Sequence, residues 1–105
     1  VSLAGIAGNK FTFLGFAPLK KGRETFFKTL ATKTEPAVFF ESTHRIIKTL
    51  TSLAEIYPNA QIYLGRELTK MFEEMIIGTP QEVLKVLEGE PVRQKGEFVV
   101  IVEIH

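Results

Sequence analysis

Four apolar residues in a row, Ala37-Val38-Phe39-Phe40, run into Glu41-Ser42-Thr43-His44-Arg45 and then into the clearest amphipathic stretch of the chain. A run this short and apolar throughout reads as a buried strand. Behind it, Ile46, Ile47, Leu50, Leu53, Ala54 and Tyr57 recur at helical spacing and form one broad stripe. A buried strand feeding an amphipathic helix is the building unit of an α/β sheet. The pentapeptide between them gathers a carboxylate, an imidazole and a guanidinium on one turn. That turn lies where open α/β sheets bind ligands, outside the carboxyl end of a strand.

The rest of the chain fits the same plan. Residues 1–9 are small and Gly-containing and read as a lead-in or linker, which leaves 10–105 as the domain. Phe11, Phe13 and Phe16 suggest a strand over 10–16 that Pro18 ends, because proline has no ladder donor. Phe26, Phe27, Leu30 and Ala31 predict a short helix from Arg23 to about Thr32. Ser42 is the expected N-cap of the helix that Pro58-Asn59 closes. Strands are expected over 60–64 and 71–77, joined by the polar loop 66–70. Thr79-Pro80-Gln81-Glu82 is a capping box, and Gly89 stands where a helix-ending glycine belongs. Residues 97–104 read as a strand buried on both faces. The order β-α-β-α-β-β-α-β predicts an α/β fold with a mixed, mostly parallel sheet of about five strands flanked by helices. Helix-linked strands should run parallel and the loop-linked pair antiparallel.

At 105 residues with 45% hydrophobic and 24% charged residues, the chain is a single globular domain. No apolar run approaches the roughly 18 residues that a bilayer span needs, so a membrane is not expected as a partner. Cysteine is absent, which excludes disulfides and a thiolate nucleophile and fits a cytoplasmic location. The start at Val1 leads us to expect a piece of a longer polypeptide. A net charge of +1 means that any polyanion must be held by a local patch.

Three such patches follow strand-like runs: Lys20-Lys21-Gly22-Arg23, His44-Arg45, and Arg66 to Lys70. If their strands run in one direction, all three crowd onto one rim. Cations at the start of a helix oppose its dipole by a few tenths of a kcal/mol or more, and a bound anion resolves that conflict. The plain alternative is solvated side chains. Glu41 reads as an orienting or ligand-binding acceptor, not a proton-transfer group; its plain alternative is an ion pair with Arg45 or Arg66. Glu73 and Glu74 are adjacent on a strand and point to opposite faces, so they cannot face each other as an acid and base pair. Two histidines and no aspartate give no metal site and disfavour Mg²⁺-assisted phosphoryl chemistry. No Gly-rich phosphate loop is present, since Gly5 and Gly8 follow no strand. RNA-recognition and KH signatures are missing too. The residues alone therefore describe an anion-attracting rim without a self-sufficient catalytic constellation.

Taken in order, several motifs resemble one family. They are Phe13-Leu14-Gly15-Phe16-Ala17-Pro18, Lys20-Lys21-Gly22, Phe39-Phe40-Glu41-Ser42-Thr43-His44-Arg45, Arg66-Glu67-Leu68-Thr69-Lys70 with Glu73-Glu74 and Gly78-Thr79, and Lys95-Gly96-Glu97-Phe98-Val99. The family is the bacterial 16S ribosomal RNA cytidine 2′-O-ribose methyltransferases, of the tetrapyrrole-methylase superfamily. The chain is similar to the C-terminal domain of these two-domain enzymes, over roughly residues 11–102. Thr43 stands where the family usually has proline, and Phe72 where histidine is common.

The resemblance implies S-adenosylmethionine as cofactor, held in a cleft shared with an N-terminal domain that this chain does not contain, so the fragment should be inactive alone. It implies 16S ribosomal RNA in the small subunit as substrate and a homodimer as the assembly. By the same analogy Phe40, Glu41, Ser42, Arg66 and Glu67 are the expected cofactor contacts, with Phe98 and Val99 walling the adenine. Lys20, Lys21, Arg23, His44, Arg45 and Lys70 are the expected grip on RNA phosphates. No residue of this half is assigned as a catalytic base. Two other readings are a half-domain of a methyltransferase acting on a tetrapyrrole or corrin precursor, which would need an apolar cleft, and a non-catalytic RNA- or anion-binding module.

Overall fold

Alternation along the strands decides how this chain layers. In the computed structural model, which describes residues 10–32, 34–67, 72–89 and 97–104, eight principal elements follow in the order the sequence suggests. They are β1 (Thr12–Phe16), α1 (Arg23–Thr29), β2 (Ala37–Glu41), α2 (Ile46–Ile56), β3 (Gln61–Glu67), β4 (Phe72–Gly78), α3 (Pro80–Gly89) and β5 (Glu97–Glu103). A 3-10 turn, Leu30–Thr32, extends α1.

Phe39, Phe98, Val100 and Val102 point into one core with Leu30, Leu50, Leu53 and Leu87. The residues between them, Val38, Val99 and Ile101, form a second cluster with Phe40 and Tyr63. All three helices therefore cover one face of the sheet. Thr49 is the polar member of the α2 stripe and is fully buried, a position that demands partners. Truncating Leu50 or Leu53 to alanine in such a core costs about 2–5 kcal/mol.

The sheet has five strands in the order β1-β2-β5-β3-β4. β1 and β2 are parallel, whereas β2–β5, β5–β3 and β3–β4 are antiparallel. The mixed five-stranded sheet is as expected, and helix-linked strands do run in the same direction. Neighbouring pairs are nonetheless mostly antiparallel, a correction to the mostly parallel sheet. The cause is β5, which inserts between β2 and β3. Its five consecutive buried residues suit it to the centre of the sheet. Because β5 is antiparallel to both neighbours, β1, β2 and β3 share one direction, and their carboxyl ends line one rim.

Local boundaries bring further corrections. α2 begins at Ile46 with Arg45 as its N-cap residue, not Ser42, and no side chain caps it. Ser42 to Arg45 instead form a turn closed by the Arg45 N–H donating to the Ser42 carbonyl at 3.2 Å. β3 runs on through Arg66 and Glu67, which pair with Phe98 and Glu97, so these two residues are strand and not loop. The capping box of α3 forms as written: the Thr79 N–H donates to Glu82 Oε1 at 2.8 Å, and the Glu82 N–H to Thr79 Oγ1 at 3.3 Å. Gly89 is the last residue of α3 and has no left-handed φ. The lead-in 1–9, Leu68 to Lys70 and His105 lie outside the described residues.

Candidate functional site

The carboxyl ends of β1 and β2 carry the chain into two turns that meet. After β1, the Ala17 N–H donates to the Phe40 carbonyl at 3.2 Å, which ties the first turn to the end of β2. Gly22, with φ 88°, then reverses the backbone into α1, a conformation that side-chain-bearing residues adopt only with strain. Arg23 is thereby thrown inward. Its guanidinium donates to the Pro18 carbonyl at 2.9 Å, to Thr49 Oγ1 at 2.8 Å and to Glu41 Oε2 at 3.3 Å. It also stacks over the Phe27 ring, 5.0 Å from the centroid.

Glu41 closes this knot. Its side chain is only 3% exposed; Oε2 also accepts from the Thr49 hydroxyl, and Oε1 accepts from the Ser42 N–H at 3.0 Å. The ion pair is thus with Arg23 and not with Arg45. Both carboxylate oxygens are engaged and the side chain is buried, so Glu41 fixes the turn from within. Breaking such a pair strands a buried charge, at a cost of about 3–5 kcal/mol.

Outside the knot lies an open cleft of about 390 Å³ lined by Leu19, Lys20, Arg23, His44, Arg45 and Lys48. Two of the three basic clusters therefore converge. His44 and Lys20 are exposed, and Arg45 is half-buried, its guanidinium donating to Ser42 Oγ at 3.2 Å. α2 starts at the cleft with no acidic residue in its first turn and no side-chain cap, so its first N–H groups add to the positive field. Lys21 sits on the adjoining turn, exposed but outside the lining.

Lys48, which the sequence reading does not single out, is exposed in the first turn of α2 and joins His44 and Arg45 of the preceding turn in the lining. The third cluster stands apart. β3 ends on the same rim, but β5 separates it from β2, and Lys70 lies outside the described residues. Of the expected cofactor contacts, Phe40 and Ser42 are half-buried at the rim. Phe98 is 1% exposed within the core, so its ring cannot wall a ligand, and any contact there is through backbone. Val99 is buried in the cluster on the opposite face.

No family model matches the chain. Curated relatives do. The chain is 39% identical over 102 residues to the ribosomal RNA small subunit methyltransferase I of Neisseria meningitidis, with 96% of the chain and 35% of the relative aligned. It is 38% identical over 105 residues to the protein of that name from Xylella fastidiosa, covering 98% and 38%. For the Thermotoga maritima protein the figures are 34% over 101 residues, 96% and 45%. The chain aligns over about 95% of its length with relatives of this name. It spans about 35–45% of the length of these relatives, consistent with the family's C-terminal part. The five-stranded mixed sheet with three helices is consistent with a methylase C-terminal domain. Among the described residues, no helix is long and apolar enough to cross a membrane, and no group of three metal-ligating side chains occurs.

Proposed function

We propose that the chain is the C-terminal part of an S-adenosylmethionine-dependent methyltransferase that modifies a ribose 2′-hydroxyl of 16S ribosomal RNA. In this reading its basic cleft grips substrate phosphates. The observation that carries it is the meeting of Lys20, His44, Arg45 and Lys48 around the uncapped start of α2. Phosphate contacts position a nucleic acid without reading its sequence, which suits a domain that orients a substrate for chemistry done next to it. Relatives named as ribosomal RNA methyltransferases make RNA the natural polyanion. A tetrapyrrole precursor gains no support from a cleft so heavily lined with cations.

The residues fit the cofactor in part. The half-buried Phe40 ring and the Ser42 hydroxyl could edge an adenosyl group, whereas the buried carboxylate of Glu41 is turned into the knot and serves by fixing the turn. When bound, S-adenosylmethionine supplies a methyl group on a sulfonium, open to in-line attack by a hydroxyl. Its own positive charge disfavours the cationic cleft, so cofactor and phosphates would take different parts of the rim. What this chain contributes is positioning, which can account for much of a barrier reduction. The reading includes a cytoplasmic homodimer in which the fragment alone is inactive.

The test is RNA binding by the full-length protein across a salt series. Lys20→Ala and Arg45→Ala should each weaken affinity and lower the salt slope by about one. Unchanged affinity and slope in both variants would sink the proposal.

A further inference from the structure

β1 carries two large aromatic side chains that contribute little to the core. Phe13 is 55% exposed and Phe16 is 62% exposed. Residues three apart on a regular strand point to opposite faces. Here the register slips between Phe13 and Phe16, with Gly15 at φ 76°, so three steps along β1 match two along β2. That bulge brings both rings to one face. There they lean on Phe40, Phe13 edge-on at 5.4 Å and Phe16 tilted at 5.2 Å between centroids. Phe40 packs in turn on the cluster of Val38, Val99 and Ile101, so the exposed rings stand on a firm base.

Leaving over half of each phenyl group in water forgoes about 1–2 kcal/mol of burial for each. The patch adjoins the cleft along the chain. From Phe16 the chain passes through Ala17 and Pro18 to Leu19 and Lys20, which line it, and Phe40 is followed directly by Glu41 and the His44-Arg45 turn. Aromatic faces beside a cationic groove are the two parts from which single-stranded nucleic acid sites are made.

We infer that Phe13 and Phe16 form a stacking platform for unpaired bases of an RNA strand whose phosphates occupy the basic cleft. This rests on the RNA reading of the cleft. Charge selects the occupant: an apolar protein segment would satisfy the rings, but not the basic cleft that the same turns lead into. Stacking is tolerant of base identity, so the platform holds and orients an exposed stretch without choosing its sequence.

The experiment uses the full-length protein and two labelled probes, a short single-stranded RNA and an abasic ribose-phosphate strand of equal length. Phe13→Leu and Phe16→Leu keep apolar bulk and remove the flat π face. Each should weaken binding of the base-bearing strand about tenfold, with the salt slope unchanged and the abasic strand bound as before. Phe16→Trp should retain affinity, and the emission it adds should be quenched by the base-bearing strand only, a readout that survives if a leucine variant fails to fold. Equal losses on both probes would overturn the platform. So would unchanged RNA binding accompanied by an altered sedimentation coefficient, which would make the patch a protein contact. Failure of the cleft reading looks different: Lys20→Ala and Arg45→Ala would then leave the abasic strand unaffected.

Discussion

Arg23 and Arg45 line the same cleft, 22 positions apart in sequence, yet they do opposite work. The first has its guanidinium tied to Pro18, Glu41 and Thr49 and stacked on Phe27. The second has, among the described residues, a single side-chain bond, to Ser42. Arg23 joins the β1 turn, the end of β2 and α2 into one piece; Arg45 is held at the surface of that piece with donors to spare. The contrast teaches that a cation's place on a rim does not define its role. The number of partners competing for it does.

The largest effect should come from cutting the knot. Glu41→Ala leaves Arg23 partly buried without its counter-charge, and we expect a loss of about 3–5 kcal/mol by chemical denaturation. A loss below 1 kcal/mol would mean that water or another group readily replaces the carboxylate, and the contrast with Arg45 would collapse. Next comes Thr49→Val, which keeps shape and removes the hydroxyl that accepts from Arg23 and donates to Glu41. It should cost about 1–3 kcal/mol, because two buried groups each lose a partner. Arg45→Ala should change stability by no more than about 0.5 kcal/mol, as surface substitutions usually do. Its effect belongs to RNA affinity instead. If Arg45→Ala destabilised the fold as much as Glu41→Ala, both arginines would be structural.

Much of this architecture is legible from sequence, because periodicity reports local structure. The stripe of α2, the capping box at Thr79 and the apolar run inside β5 all appear where spacing and residue type put them. So does the convergence of Lys20 with His44 and Arg45, which needs only that β1 and β2 run in one direction. The order of strands is another matter. Nothing in the residues of β5 says which two strands it will separate, since pairing partners far apart in sequence leave no periodic trace. The partner of Glu41 is hidden for a related reason: Arg23 and Thr49 reach it from other elements, whereas proximity in sequence points Glu41 towards Arg45. The bulge in β1 did leave a sign, a glycine inside an aromatic strand.

Ser42 offers the smallest and sharpest probe of the comparison. Its hydroxyl accepts a bond from the Arg45 guanidinium, while its backbone N–H serves the knot by donating to Glu41. Ser42→Ala removes the first contact and keeps the second. Stability should move by no more than about 0.5 kcal/mol, because the hydroxyl is only half-buried and water can replace it. RNA affinity should fall about twofold, through the freedom regained by an arginine that is no longer held in place. Since no charge is lost, the salt slope should stay that of the parent protein. A lowered slope would mean that releasing the guanidinium also withdraws it from the phosphates, making Ser42 the residue that aims it.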